Sequence, residues 1–104
     1  MRTIACMRPD DGCTAGADLL KTLANPHRLR IVLELAGPEP RCVHELVDAL
    51  GEAQPLVSQH LRVLRTAGLI TGTRAGREVR YRLVDDHVRH IAHDAITHAR
   101  EVHA

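Results

Sequence analysis

The chain predicts a mainly helical domain with one β-hairpin, in the order α-α-α-α-β-β-α. Three observations carry that prediction. Apolar residues recur at three- and four-residue spacing between residues 19 and 67, and again after residue 86. Asn, Pro and Gly punctuate those runs where helices should begin and end. Between residues 69 and 83 the period drops to two, with Val79, Tyr81 and Leu83 alternating with Arg80 and Arg82.

Residues 1–14 show no periodicity and contain Pro9 and Gly12, so they read as an N-terminal arm, leaving 15–104 as one folded domain. Leu19, Leu20 and Leu23 mark a short helix that stops near Asn25. Asn25-Pro26 then opens a second helix, with Asn as cap and Pro in the first turn, where its missing N–H costs nothing. Leu29, Val32, Leu33 and Leu35 form its expected apolar face, and Gly37-Pro38 ends it. A third helix covers about residues 42–50 and closes at Gly51; a fourth covers about 54–67, with Leu56, Val57, Leu61 and Leu64 inward and Gly68 at its end. The hairpin turns at Ala75-Gly76. A last helix spans about residues 86–102, with Val88, Ile91, Ala92, Ala95, Ile96 and Ala99 in one stripe.

Composition excludes several classes. With 104 residues there is room for one domain, and burial of about two-thirds of the unfolded surface suffices without disulfides. One Tyr and no Phe or Trp leave no stacking platform for single-stranded nucleic acid. Ser58 is the sole serine and lacks the G-x-S-x-G setting of a hydrolase nucleophile. No apolar run approaches the roughly 18 residues of a membrane span, and three cysteines without a C-x-x-C do not make a secreted disulfide framework. The expectation is a cytoplasmic protein that is no enzyme, has no membrane association and takes no organic small-molecule substrate. Net charge is only +1, but residues 55–84 carry six arginines against Glu78 alone, between two acidic flanks. A basic middle of that kind suits a localised polyanion.

Two short helices joined through Gly51 read as a helix-turn-helix. The second exposes Gln54, Ser58, Gln59, Arg62 and Arg65, side chains that read base edges or hold phosphates of duplex DNA. The hairpin after it, with Arg74 and Arg77 near its tip, would lie beside it as a wing. The stretch LLKTLANPHRLRIVLEL, then VHELVDALGEAQPLVSQHLRVLRTAGLITGTRAGREVRYRL, resembles the ArsR/SmtB family of winged-helix metalloregulators across residues 19–83. The resemblance implies a winged helix-turn-helix fold and a homodimeric bacterial repressor. Such a repressor is released from operator DNA when an inducer, usually a metal ion, binds. Ala53 departs from the family, which commonly carries a capping Ser there; Pro55 in the first turn partly compensates.

The last helix carries Asp85, His87, His98 and Glu101. Two imidazoles and two carboxylates suit tetrahedral zinc. His98 and Glu101 are i and i+3 on one face, but His87 lies eleven residues earlier, roughly 16 Å along the axis. Ligands held at about 2 Å cannot span that distance within one chain. Two antiparallel copies would bring Asp85 and His87 of one chain to His98 and Glu101 of the other, giving two equivalent sites. The resemblance points to the same four residues as the family's last-helix zinc site. It also implies that His98, through its second ring nitrogen, signals to a backbone acceptor near Gly68.

The resemblance further suggests a second metal site on Cys42 and Glu45, completed by Cys6 and Cys13 of the arm, which would favour cadmium, lead or trivalent arsenic over zinc. His90, near the ligand face with Asp94 at i+4, and the terminal His103 are potential extra ligands for nickel or cobalt. His93 points away, and His44 reads as surface.

Overall fold

A computed structural model describes residues 11–102. Its elements are α1 (Cys13–Leu23), α2 (Pro26–Leu35), β1 (Arg41–Cys42), α3 (Val43–Leu50), α4 (Gln54–Thr66), β2 (Ile70–Ala75), β3 (Glu78–Leu83) and α5 (Asp86–Val102). The predicted order holds, with one addition. β1 pairs antiparallel with β3, Arg41 opposite Tyr81 and Cys42 opposite Arg80, so the hairpin becomes a three-stranded sheet in the order β1-β3-β2. Two residues are too few to show a period, and β1 was therefore invisible to pattern. α1 starts at Cys13, inside the stretch expected to be an arm; residues 1–10 lie outside the described residues.

Local chemistry explains the boundaries. Asn25 Oδ1 accepts from the amides of His27 and Arg28 at 2.9 and 3.2 Å, satisfying donors that the first turn of α2 leaves open. Gly51 ends α3 at φ 67°, and Gly68 ends α4 at φ 79°, left-handed conformations that a side chain would strain. At the end of α4 the Leu69 amide reaches back to the Leu64 carbonyl at 3.0 Å, which turns the chain directly into β2. The hairpin pairs Ala75 with Glu78, so its turn consists of Gly76, at φ 67°, and Arg77.

α2 is the central element: it packs on every other helix and on β3. Ile31, Val32 and Leu35 of α2 join Leu23, Leu46, Val57, Leu61, Leu64, Leu69, Ile70, Val88 and Ala92 in a single core. On α2 one inward assignment fails and one buried residue is added. Ile31 is fully buried, whereas Leu33 is 38% exposed. At about 100° per residue, a face centred between Ile31, Val32 and Leu35 turns residue 33 outward. Leu56 is only half-buried. The apolar stripe of α5 is also less covered than expected, since only Val88 and Ala92 are buried. No helix among the described residues is long and apolar enough to cross a membrane.

Candidate functional site

The helix-turn-helix is α3 and α4. α4 starts without a side-chain cap: Ala53 offers only its carbonyl, to the amides of Leu56 and Val57, and Pro55 removes one donor that would otherwise be unmet. Val57, Leu61 and Leu64 anchor the inner face. Gln54, Ser58, Gln59, Arg62 and Arg65 are all exposed on the outer one, and Arg74 and Arg77 are exposed on the hairpin.

Between α4 and the hairpin runs a cleft of about 570 Å³, walled by Ser58, Arg62, Arg65, Thr66 and Tyr81. A second, of about 330 Å³, lies between the start of α3, the start of α4 and the hairpin tip, bringing His44, Gln54, Ser58 and Arg77 to one hollow. Ser58 and Tyr81 line both. Tyr81 reaches across the hairpin because Gly72 stands opposite it; a Cβ there would meet Val79 Cγ1 at 2.9 Å and Tyr81 Cε1 at 3.1 Å. Sequence places Tyr81 only in the hairpin alternation and His44 only on the surface, and assigns neither to a site. A glycine inside a strand was the available signal, because it marks close approach of another group.

The basic hairpin face needs a correction. Arg80 contacts Glu78 at 3.3 Å and Glu45 at 3.8 Å and donates to the Pro40 carbonyl at 3.4 Å, which ties the sheet to α3. Arg82 faces the hollow beside Asp85, Asp86 and Arg89 at the start of α5. Arg62, Arg65, Arg74 and Arg77 have no ion pair within 4 Å among the described residues. The cationic surface is therefore concentrated on α4 and the hairpin tip.

All four candidate ligands are exposed, Asp85 just before α5 and His87, His98 and Glu101 on it. Asp85 Oδ1 accepts from the Val88 amide at 3.2 Å, capping the helix, while Oδ2 lies 3.7 Å from His87 Nδ1. His98 and Glu101 sit at the far end, and no group of three or more potential ligands forms within the described residues of one chain. Asp94 lies 3.8 Å from His93, not beside His90, whose Nε2 is 3.3 Å from Arg89 Nη2. His103 lies outside the described residues.

Cys42 is 5% exposed and immediately precedes α3. Its amide donates to Glu45 Oε1 at 2.9 Å. That bond, helped by nearby Arg80, holds the Glu45 carboxyl below its ordinary pKa. Glu45 thus serves as a capping-box partner for α3. Cys13 is exposed at the start of α1, and Cys6 lies outside the described residues.

Comparison with known proteins agrees with this geometry. Residues 25–71 match the model of the bacterial regulatory protein, arsR family. The chain is 56% identical over 93 residues to the HTH-type transcriptional repressor SmtB of Mycobacterium tuberculosis, covering 89% of this chain and 68% of the relative. It is 46% identical over 88 residues to the transcriptional regulator NmtR of the same organism, covering 84% and 72%. Among solved structures, HlyU from Vibrio cholerae superposes with a TM-score of 0.74 at 32% identity, covering 81% of this chain and 90% of that one. A homodimeric winged helix-turn-helix DNA-binding domain from Mycobacterium bovis superposes with a TM-score of 0.75 at 28% identity, covering 97% and 92%. The chain belongs to the ArsR/SmtB family of winged-helix transcriptional repressors, a family of DNA-binding regulators and not of enzymes.

Proposed function

We propose that the homodimer holds operator DNA in the metal-free form and leaves it when zinc binds at two equivalent sites between the subunits. The observation that carries this reading is the division of ligands on α5. Asp85 and His87 stand together at its start, His98 and Glu101 are exposed near its end, and the described residues of one chain bring no three ligands together. The donor set fits tetrahedral zinc, and an antiparallel α5 pair would complete it twice. Asp85 suits that role because its capping bond uses Oδ1 and leaves Oδ2 toward His87. An apolar groove of about 180 Å³, lined by Leu20, Leu23 and Leu29 with Ile91 and Ala95 of α5, offers the surface for the second copy.

In this reading α4 of each subunit enters the major groove, in successive grooves of an imperfect palindrome, with Gln54, Ser58 and Gln59 on base edges. Arg62, Arg65, Arg74 and Arg77 hold phosphates on either side. α5 packs on α2 and β3, and α2 packs on α4, so a change in how the two α5 helices sit reaches the reading helices through packed elements. A metal shifts the dimer only by the difference in its affinity for the two arrangements.

The cysteine reading, with cadmium, lead or arsenic(III), would need Glu45 to leave its cap on α3 and Cys42 to come out of the core. Zinc at α5 asks for no such rearrangement. The test is operator binding by the purified dimer during a zinc titration, in the wild type and in His98→Ala. The variant should bind operator as the wild type does without metal and ignore zinc, losing a coupling of about 1–3 kcal/mol. A variant released at the wild-type zinc concentration would exclude α5 as the sensor.

A further inference from the structure

α4 carries a buried polar side chain that reading DNA does not use. His60 faces inward, 8% exposed, and is the buried polar residue among the described residues. Arg28 of α2 donates Nε–H to His60 Nδ1 at 3.3 Å and Nη1–H to the Thr22 carbonyl, near the end of α1, at 3.1 Å. The His27 ring stacks on that of His60, with centroids 5.5 Å apart and planes 14° from parallel. His27 Nδ1 in turn lies 2.5 Å from Glu52 Oε1, in the loop that leads into α4. Two side chains of α2 thus meet one imidazole of α4, and they are tied in turn to α1 through Thr22 and to the α3–α4 loop through Glu52.

A guanidinium has only donors, so the ring nitrogen facing Arg28 is an acceptor. The imidazole is then neutral, with its proton on Nε2, a buried atom without a hydrogen-bond partner among the described residues. A second proton would set N–H against N–H and a cation beside Arg28, away from water. Burial foremost, then Arg28 and His27, push the His60 pKa below the ordinary imidazole value; Glu52 acts the other way and more weakly.

We propose that neutral His60 is a positioning residue for operator reading: the bond from Arg28 fixes the seat of α4, and protonating the ring frees that seat and lowers operator affinity. The proposal rests on α4 being the reading helix. Ser58, Gln59 and Arg62 flank His60 on the outer face, so a small rotation of α4 moves all three against the bases. The stability this ring contributes is complete above the unfolded histidine pKa of about 6.5 and is lost as pH falls through the depressed folded value. The sign is distinctive. Protonation of an exposed surface imidazole would act oppositely, adding charge that strengthens attraction to phosphate.

The experiment measures operator affinity of the metal-free dimer, with chelator and at fixed ionic strength, from about pH 7.5 to 5.5. His60→Asn is the informative variant, because its amide oxygen sits near the Nδ1 position and does not titrate. Wild-type affinity should fall with pH, approaching about tenfold per unit per subunit below the His60 pKa. His60→Asn should bind within about threefold of wild type at pH 7.5 and lose that decline. A folded His60→Asn protein that keeps the decline, or fails to bind at pH 7.5, overturns the proposal. So does wild-type affinity that stays level or rises on acidification. Wild type that binds no operator at pH 7.5 would instead overturn the reading of α4 itself. If His60→Asn does not fold, nitrogen NMR of wild type decides: a neutral ring protonated on Nε2 near pH 6.5 supports the proposal, and a charged ring there excludes it.

Discussion

α4 and α5 are both amphipathic helices of one chain, and they complete their packing in different ways. α4, with 13 residues, seats Val57, His60, Leu61 and Leu64 in the core, none more than 8% exposed. α5, with 17, seats only Val88 and Ala92; Ile91 and Ile96 are half-buried, and Ala95 and Ala99 stay exposed. The chain finishes α4 by itself but leaves α5 open along the stripe that sequence identified. An open apolar stripe calls for another surface. The candidate metal ligands lie on that same open helix and at its N-cap, so the proposed zinc site would act where two subunits meet rather than on α4.

The contrast can be broken first at the core. Leu64→Ala should cost about 2–5 kcal/mol, read as a lower urea midpoint, because nothing of that side chain is exposed and the cavity cannot fill. Ile96→Ala, on the open helix, should cost the single chain less than about 1.5 kcal/mol and act mainly on the dimer dissociation constant in sedimentation. Equal effects on chain stability would mean that α5 is as finished as α4.

A smaller effect sharpens the contrast at the DNA face. Arg77→Ala should weaken binding alike across operator sequences and lower the salt slope by about one per subunit, as loss of a phosphate contact does. Gln59→Ala should instead change base preference, by about 1–3 kcal/mol at one position. An unchanged salt slope in Arg77→Ala would remove the hairpin tip from the interface.

The smallest expected effect is a gain. Ala53→Ser supplies the missing cap of α4 and should stabilise the protein by about 0.5–1 kcal/mol in thermal unfolding. A loss would mean that the extended backbone at residue 53 cannot aim a hydroxyl at the first turn.

Much of this was legible in sequence for local reasons. Asn25-Pro26, Gly51 and Gly68 set helix ends through hydrogen bonds and backbone angles that depend on near neighbours, and the alternation around Tyr81 set the hairpin. The exposure of Gln54, Ser58, Gln59, Arg62 and Arg65 followed from helical period once Val57, Leu61 and Leu64 were taken as inward. Leu33 failed because one helix has several apolar arcs, and only the neighbours of α2 decide which arc is covered.

Sequence by itself determined the order of the helices and the hairpin, though not β1, together with the ends of the helices and the family, because period, capping and motif spacing are properties of a short stretch of chain. It also determined that one α5 cannot gather its four ligands, since helical rise alone separates His87 from His98. Only the tertiary structure decided which charges remain available. Arg80 and Arg77 look equivalent along the chain, yet the sheet brings Arg80 to Glu45 and Glu78 and leaves Arg77 at the tip. It likewise made His60, which no sequence pattern singles out, a buried acceptor for Arg28, thirty-two residues away in sequence. The physical reason is that a charge or a buried polar group is settled by the partner it meets in space, and that partner comes from another element.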